Sequence, residues 1–231
     1  MAPPAIPAGG RSGVDVDQCA CACSRLIYAG MNDLTIHYDL RGSRYLNVTS
    51  RCTLRCAFCP KFSGSWTVAG YDLRLSEEPD ANQLIAAAGD DPRTFQEIVF
   101  CGLGEPTLRL YTVLEAGAEL RRRGARVRLN TDGLANLIHG RDVTPDFEDS
   151  IDAISISLNA QNEELYNRHC RPPMPGAFEA VQDFAARARE FVPSVTLTAI
   201  DGLPGVDIPA CRAIAERLGV GFRRRELGKV G

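Results

Sequence analysis

Lysine is almost missing from this chain. Of its 26 basic residues only Lys61 and Lys229 are lysine, so arginine is the general cation. Arginine is the better residue for bidentate contacts to anions. The bias runs through the whole sequence, however, and the triplets Arg121–Arg123 and Arg223–Arg225 read as solvated faces. Net charge is only −3 with His neutral, which gives no pull toward nucleic acid or an anionic membrane surface. No apolar run approaches the roughly 18 residues that a membrane span needs. The opening Met-Ala-Pro-Pro-Ala-Ile-Pro-Ala-Gly-Gly lacks both the basic and the apolar segment of a secretory leader. A reducing cytoplasm is therefore expected, where clustered thiols serve as metal ligands rather than disulfides. Without secretion, Asn47-Val48-Thr49 means nothing as a glycosylation pattern.

What is present is cysteine, nine in 231 residues. A chain of this length can bury one sizeable core, and 45% hydrophobic with 24% charged residues is ordinary for a globular protein. Cys52-Thr-Leu-Arg-Cys56-Ala-Phe-Cys59 directly follows the apolar stretch Tyr45–Val48. Three thiols so close in one loop can converge on a single inorganic centre, an iron–sulfur cluster or zinc. Zinc usually takes four protein ligands, and no second Cys-x2-Cys pair lies at a matching distance. Three ligands would leave one iron of a four-iron cluster open to a small molecule. The competing readings are a zinc knuckle, unrelated buried cysteines, or a non-catalytic electron-transfer module.

Residues 1–30 are expected to be a poorly ordered tail, rich in Pro, Ala and Gly at its start. It carries Cys19, Cys21 and Cys23, which could bind a second metal, and Met31 offers an internal start. Residues 31–231 form the folded domain. From Tyr45 onward, strand and helix alternate. Strands are expected at Tyr45–Val48, Glu97–Cys101, Arg126–Asn130, Ala153–Leu158, Ser194–Ile200 and Gly221–Leu227. Helices are expected over Asp80–Ala88, from Leu110, near Asn162–Arg168, over Ala177–Phe191 and over Pro209–Leu218. Trp66–Leu75 reads as an irregular or hairpin excursion, and Glu77, Glu78 and Asp80 as acids suited to a helix N-terminus. Strands joined by such helices form a parallel α/β sheet through right-handed crossovers. Six units are too few to close an eight-stranded barrel, so a three-quarter barrel is expected. In parallel barrels the chemistry sits at the C-terminal strand ends.

Polar residues collect at those ends. The second strand leads into Cys101-Gly-Leu-Gly-Glu105-Pro, where glycines let backbone approach a ligand. The third ends in Asn130-Thr-Asp-Gly133, whose amide could hold a ligand or cap the strand in an Asx-turn. On the fourth, period two sets Ser155, Ser157 and Asn159 on one face and Ile154, Ile156 and Leu158 toward the helices. On the fifth, Thr196 and Thr198 share a face. His37 and His139 have no partner pattern.

The cysteine spacing, with Phe58 just before Cys59, and the Gly102-Leu-Gly104-Glu105-Pro segment resemble the radical S-adenosylmethionine (radical SAM) superfamily. Leu103 stands where the commoner motif has glycine. Tyr45–Cys52, Phe100–Arg109, Arg128–Gly133 and Asn136-Leu-Ile-His-Gly are similar to the small TatD-associated proteins of that superfamily. The resemblance implies a partial barrel and a [4Fe-4S] cluster on Cys52, Cys56 and Cys59. It implies S-adenosylmethionine (SAM) on the open iron, cleaved reductively to a 5′-deoxyadenosyl radical that abstracts hydrogen from an unidentified substrate. Gly102, Gly104 and Glu105 would engage the SAM amino group, and Asn130 its ribose or methionine part. Ser157 and Asn159 would meet the ribose hydroxyls, and Arg168 or, preferably, Arg171 the carboxylate. Leu197 and Ile200 would pack the adenine, while His169 and Cys170 could face the substrate. Implied partners are a flavodoxin- or ferredoxin-type electron donor and a TatD-type hydrolase.

Overall fold

The computed structural model describes Met1 and residues 35–228. The chain separates into two units, Met1–Asp33 and Leu34–Gly231, and the second holds every element below. Cys19, Cys21, Cys23 and Met31 lie outside the described residues.

Strand β1 (His37–Leu40) turns back into β2 (Ser43–Asn47) as an antiparallel pair. The turn residues Arg41 and Gly42 are both left-handed, with φ of 52° and 77°. Two such residues give the turn whose twist matches a hairpin. The same device, at Ala69 and Gly70, joins β3 (Thr67–Val68) to β4 (Tyr71–Asp72), the excursion expected between Trp66 and Leu75. Helix α1 (Ala81–Ala87) starts on a capping box: Asp80 accepts from the Gln83 amide and the Gln83 side chain accepts from the Asp80 amide.

Strand and helix then alternate through β5 (Ile98–Cys101), α2 (Leu110–Arg122), β6 (Val127–Thr131), α3 (Ala135–His139) and β7 (Ala153–Ser157). They continue through α4 (Glu163–Cys170), α5 (Ala177–Ala188), β8 (Ser194–Asp201), α6 (Ile208–Leu218) and β9 (Gly221–Glu226). The sheet order is β1-β2-β5-β6-β7-β8-β9, and every pairing after the first is parallel. This is the α/β partial barrel, with six parallel strands at the six expected places. The antiparallel β1 is a seventh strand beside those six, overlapping the strand-like pattern that runs to Tyr38, and its return turn is made by the left-handed Arg41 and Gly42. Helix α3 was outside expectation, since five residues carry no readable period.

Alternation along the strands separates two faces. Ile98, Phe100, Val127, Leu129, Ile154, Ile156, Val195 and Leu197 turn to the helices and join the main core. On the concave face, Tyr38, Tyr45, Val99 and Cys101 form a smaller cluster with Leu73, and the two tyrosine rings stack 5.1 Å apart. Leu197 is thus fully buried under helices and cannot pack an adenine, a correction to its assignment. Ile200 lies outside that core and keeps the concave parity of Thr196 and Thr198.

The helix layer is tied to the sheet by large apolar groups. Phe147 meets Phe184 of α5 edge-on, centroids 6.2 Å apart, and neither ring has solvent access. Phe184→Ala should cost about 3–5 kcal/mol through lost burial and the cavity left behind. Urea unfolding checks this: the midpoint falls while the slope is unchanged.

Candidate metal and cofactor site

The loop carrying Cys52, Cys56 and Cys59 leaves the C-terminal end of β2 and is held from three sides. Below it, Glu78 accepts from Thr49 Oγ1, from Arg51 Nε at 2.7 Å and from Arg109 Nη1 at 3.1 Å. Its role is therefore a clamp at the loop's base and not the helix-dipole charge expected, since α1 begins only at Ala81. Beside it, the end of α4 supplies carbonyls: Arg55 N donates to Cys170 O at 3.1 Å and Ala57 N to His169 O at 2.8 Å. Past Cys59, a short 3-10 turn over Pro60–Ser63 brings Lys61 Nζ to Ser50 O at 3.1 Å.

The third side is the turn after β5. Glu105 N donates to Arg51 O at 2.8 Å, and Gly104 lies flat against the loop backbone. A Cβ on Gly104 would collide with Thr49 O and Arg51 O. Gly102, at φ of 137°, faces the Asn47 side chain just as closely. The glycines thus serve backbone-to-backbone packing here. Glu105 is 3% exposed and fully engaged. Its Oε1 accepts from Thr107 N (3.0 Å), Thr107 Oγ1 (2.7 Å) and Thr131 Oγ1 (2.8 Å), and its Oε2 from Asp132 N (2.6 Å). Burial raises its pKa against the pull of these donors.

Asp132 is the residue that sequence reasoning missed. It lies at the same rim, buried, with Oδ1 accepting from Leu134 N at 3.0 Å and Oδ2 in no well-aligned hydrogen bond, the Thr53 hydroxyl and the Glu105 carboxyl being its neighbours. Burial first, then the Glu105 charge, push its pKa well up. Thr131 Oγ1 and Asp132 make the strand-end turn, bonding Gly133 N and Leu134 N. Asn130 therefore caps nothing: it faces the barrel interior, its Oδ1 accepting from Arg128.

The three thiols are each half-buried, and all are pushed up in pKa. Burial, then Glu105, takes Cys52 to about 12. For Cys56 the leading cause is a hydrogen bond with Cys170, followed by burial. For Cys59 it is burial. Thiolates in such surroundings need a neighbouring positive centre, which a metal supplies outright. Among the described residues no three of His, Cys, Asp and Glu gather tightly enough for one metal ion. With buried Asp132 Oδ2, Asn159 Oδ1 and Thr53 Oγ1 lacking partners, the donor set fits a thiolate-bound iron–sulfur cluster with a polar ligand beside it.

The remaining expected site residues divide. Phe58 packs partly buried against the main core, and Ser157 sits half-buried at the concave end of β7. Asn159 does not follow the period-two reading, because β7 ends at Ser157 and Asn159 is left-handed at φ of 60°. It is 2% exposed, and its amide turns to Cys170 Sγ at 3.7 Å. Arg171 caps α4 in a left-handed conformation and is exposed, whereas Arg168 pairs with Glu164 at 2.7 Å. His169 bonds Pro204 O at 2.9 Å and His139 bonds Thr107 O at 2.9 Å, so both are framework groups.

The fold is thus a partial barrel with a three-thiol loop at the C-terminal rim of its strands. Residues 46–218 match the Radical SAM superfamily, and the chain belongs to it. The superfamily's enzymes use SAM and a [4Fe-4S] cluster. The chain is 23% identical over 164 residues to the probable dual-specificity RNA methyltransferase RlmN of Petrotoga mobilis, covering 68% of this chain but 46% of that protein. In fold it is similar to TYW1 with a lysine-pyruvate adduct bound (TM-score 0.57, 15% identity, 82% of this chain and 66% of that one). It is similar also to Streptococcus suis SuiB bound to SAM (TM-score 0.57, 13% identity, 82% and 38%). No helix among the described residues is long and apolar enough to cross a membrane.

Two outcomes follow from the loop's anchoring. Arg51 holds the Glu78 carboxylate down at about 2, against roughly 4.3 in an unfolded chain. The stabilisation is therefore complete above pH 4.3 or so and lost as pH falls through about 2. Arg51 is 61% exposed, so solvent screening limits the gain. Glu78→Gln should lose about 1 kcal/mol at pH 7, and denaturation curves at pH 7, 4 and 2.5 should show that loss shrinking. Gly104→Ala should keep its circular dichroism spectrum but take up well under the wild-type iron on anaerobic reconstitution, because the displaced carbonyls carry Cys52.

Proposed function

We propose that Cys52, Cys56 and Cys59 hold a [4Fe-4S] cluster and that the chain reductively cleaves SAM, starting hydrogen abstraction from a substrate in the barrel. The observation that carries this is the coincidence, on one rim, of three half-buried thiols with buried polar atoms that have no protein partner. The cluster, when bound, supplies the electron for sulfonium cleavage and an open iron for the amino and carboxylate groups of SAM. The chain's own groups orient the ligand and exclude water. Asp132 Oδ2, next to the saturated Glu105, is the acceptor open to an ammonium, and the backbone of Gly102 and Gly104 lines the same approach. Asn130 and Ser157 face the nucleoside from the concave side, Asn159 offers its unpaired Oδ1, and the exposed Arg171 meets the carboxylate. Phe58 shields the loop from beneath.

Within the superfamily the reading favours the small TatD-associated group, on the motifs quoted above. It brings a flavodoxin- or ferredoxin-type donor, a TatD-type hydrolase as associate and a cytoplasmic setting. RNA methylation is not carried over, since the chain spans only 46% of the relative so named.

The test is anaerobic reconstitution, then assay of 5′-deoxyadenosine after reduction with dithionite. Wild type should form it. Alanine at Cys52, Cys56 or Cys59 should abolish both it and the cluster absorbance. Cys101→Ala should keep the cluster, because Cys101 bonds Tyr38 Oη at 3.4 Å on the concave face, away from the loop. A full cluster with undiminished SAM cleavage in Cys56→Ala would refute the ligand assignment.

A further inference from the structure

The last strand carries two arginines that the cluster site does not use. Along β9, Phe222 packs into the main core beneath the Arg212 guanidinium, 4.9 Å from its ring centroid. Arg224 pairs with Asp201 at 2.6 Å. Arg223 and Arg225 therefore share the opposite, concave face. Arg223 confirms this by reaching across β8 to donate from Nη2 to Ser155 Oγ of β7 at 3.2 Å. Neither has a carboxylate partner among the described residues, and the Arg225 guanidinium makes no hydrogen bond to any of them.

That face is unbalanced in charge. Arg128 projects from β6 onto it and is neutralised by Glu97 at 2.8 Å, a carboxylate it shares with Arg126. Glu105 is consumed by the four donors at the rim. Glu97 also acts on Arg223, beyond the two arginines that share it, and no carboxylate pairs with Arg225 among the described residues. Burial and neighbouring arginines, Arg128 for Arg223 and Arg223 for Arg225, disfavour both guanidinium charges, with Tyr45 and Glu97 opposing this at Arg223, and arginine keeps its proton. Arg225 also senses Cys56, which sets it at the cluster end of the barrel. Arg223 stands lower, beside a cavity of about 170 Å³ lined also by Arg126 and Arg128, by the Glu97 carboxylate they share, and by Ser155 and Thr196. The wall beside them is hydroxyl-lined (Ser155, Ser157, Thr196, Thr198), with Arg223 open to solvent and Arg225 half-buried, so both guanidinium groups are placed to receive an anion.

Taking the SAM-cleaving reading as its ground, we infer that this wall binds the substrate: Arg223 and Arg225 grip an anionic group, a carboxylate or a phosphate. The substrate is thus a small anion whose charge anchors it against β9 while its reacting carbon faces the rim. Guanidinium forks suit both oxyanions bidentately.

Isothermal titration of the reconstituted protein with inorganic phosphate and, separately, with malonate tests this, each with and without saturating SAM. Wild type should bind at least one of them at a single site, and the stronger arm names the oxyanion. Arg223→Gln and Arg225→Gln should each weaken that binding about tenfold, the scale of one charge-assisted contact. Arg223→Lys should recover part of the loss, and Arg224→Gln, on the other face, should change nothing. SAM affinity should be unchanged in all four variants. The inference is overturned if neither anion binds, if the glutamine variants bind like wild type, or if Arg224→Gln loses as much. It is overturned equally if Arg225→Gln weakens SAM, since the SAM carboxylate would then be the partner. Wild type that cleaves no SAM would remove the proposed reaction instead, and the titrations without SAM would still decide the anion site.

Discussion

Glu105 holds the rim of the barrel together from a position that water barely reaches. A carboxylate this buried is tolerated only when its lone pairs are filled, and here four donors from the β5 turn and the end of β6 fill them. Its own amide meanwhile bonds Arg51 O, so the cysteine loop, the β5 turn and the β6 turn form one hydrogen-bonded piece. Gly104 permits this by letting two backbones touch where any side chain would wedge them apart. The three thiols inherit their places from that contact. Removing the carboxylate would strand four buried donors, so its role in the framework precedes any role toward a ligand.

Much of this was legible in the sequence because the physics is local. A strand covered by helices must alternate apolar groups with whatever faces the other way, and Ile154, Ile156 and Leu158 against Ser155 and Ser157 do so. Gly102, Gly104 and Glu105 announce a turn with close approach. What stayed hidden depends on contacts between distant segments or on unusual backbone. Asn159 continues the polar face on paper but leaves it at a left-handed residue. Glu78 resembles a helix-start acid until Arg51 and Arg109 are seen beside it. Asp132 gave one available signal, a carboxyl where an amide fits the turn equally well. Its meaning emerges only when Glu105 occupies the adjoining donors.

The concave surface is split in character. On β1, β2 and β5 it is aromatic and dry, built on the Tyr38–Tyr45 stack with Val99 and Cys101. From β6 to β9 it is cationic and hydroxylic. Arg128 stands at the boundary, its guanidinium 5.8 Å from the Tyr45 ring centroid and 3.4 Å from the phenol oxygen. Such a chamber offers one wall to an apolar or planar body and another to a charge.

β9 closes the sheet on one side only, since β8 is its sole neighbour among the described strands. Its outer row of amides and carbonyls is thus a template on which a second chain could lay another strand. Three consecutive arginines, Arg223, Arg224 and Arg225, occupy the middle of that strand. Any copy approaching in register would bring three like charges against three. The residues that charge the cavity on one side therefore also guard the sheet's margin against stacking, edge upon edge, into aggregates.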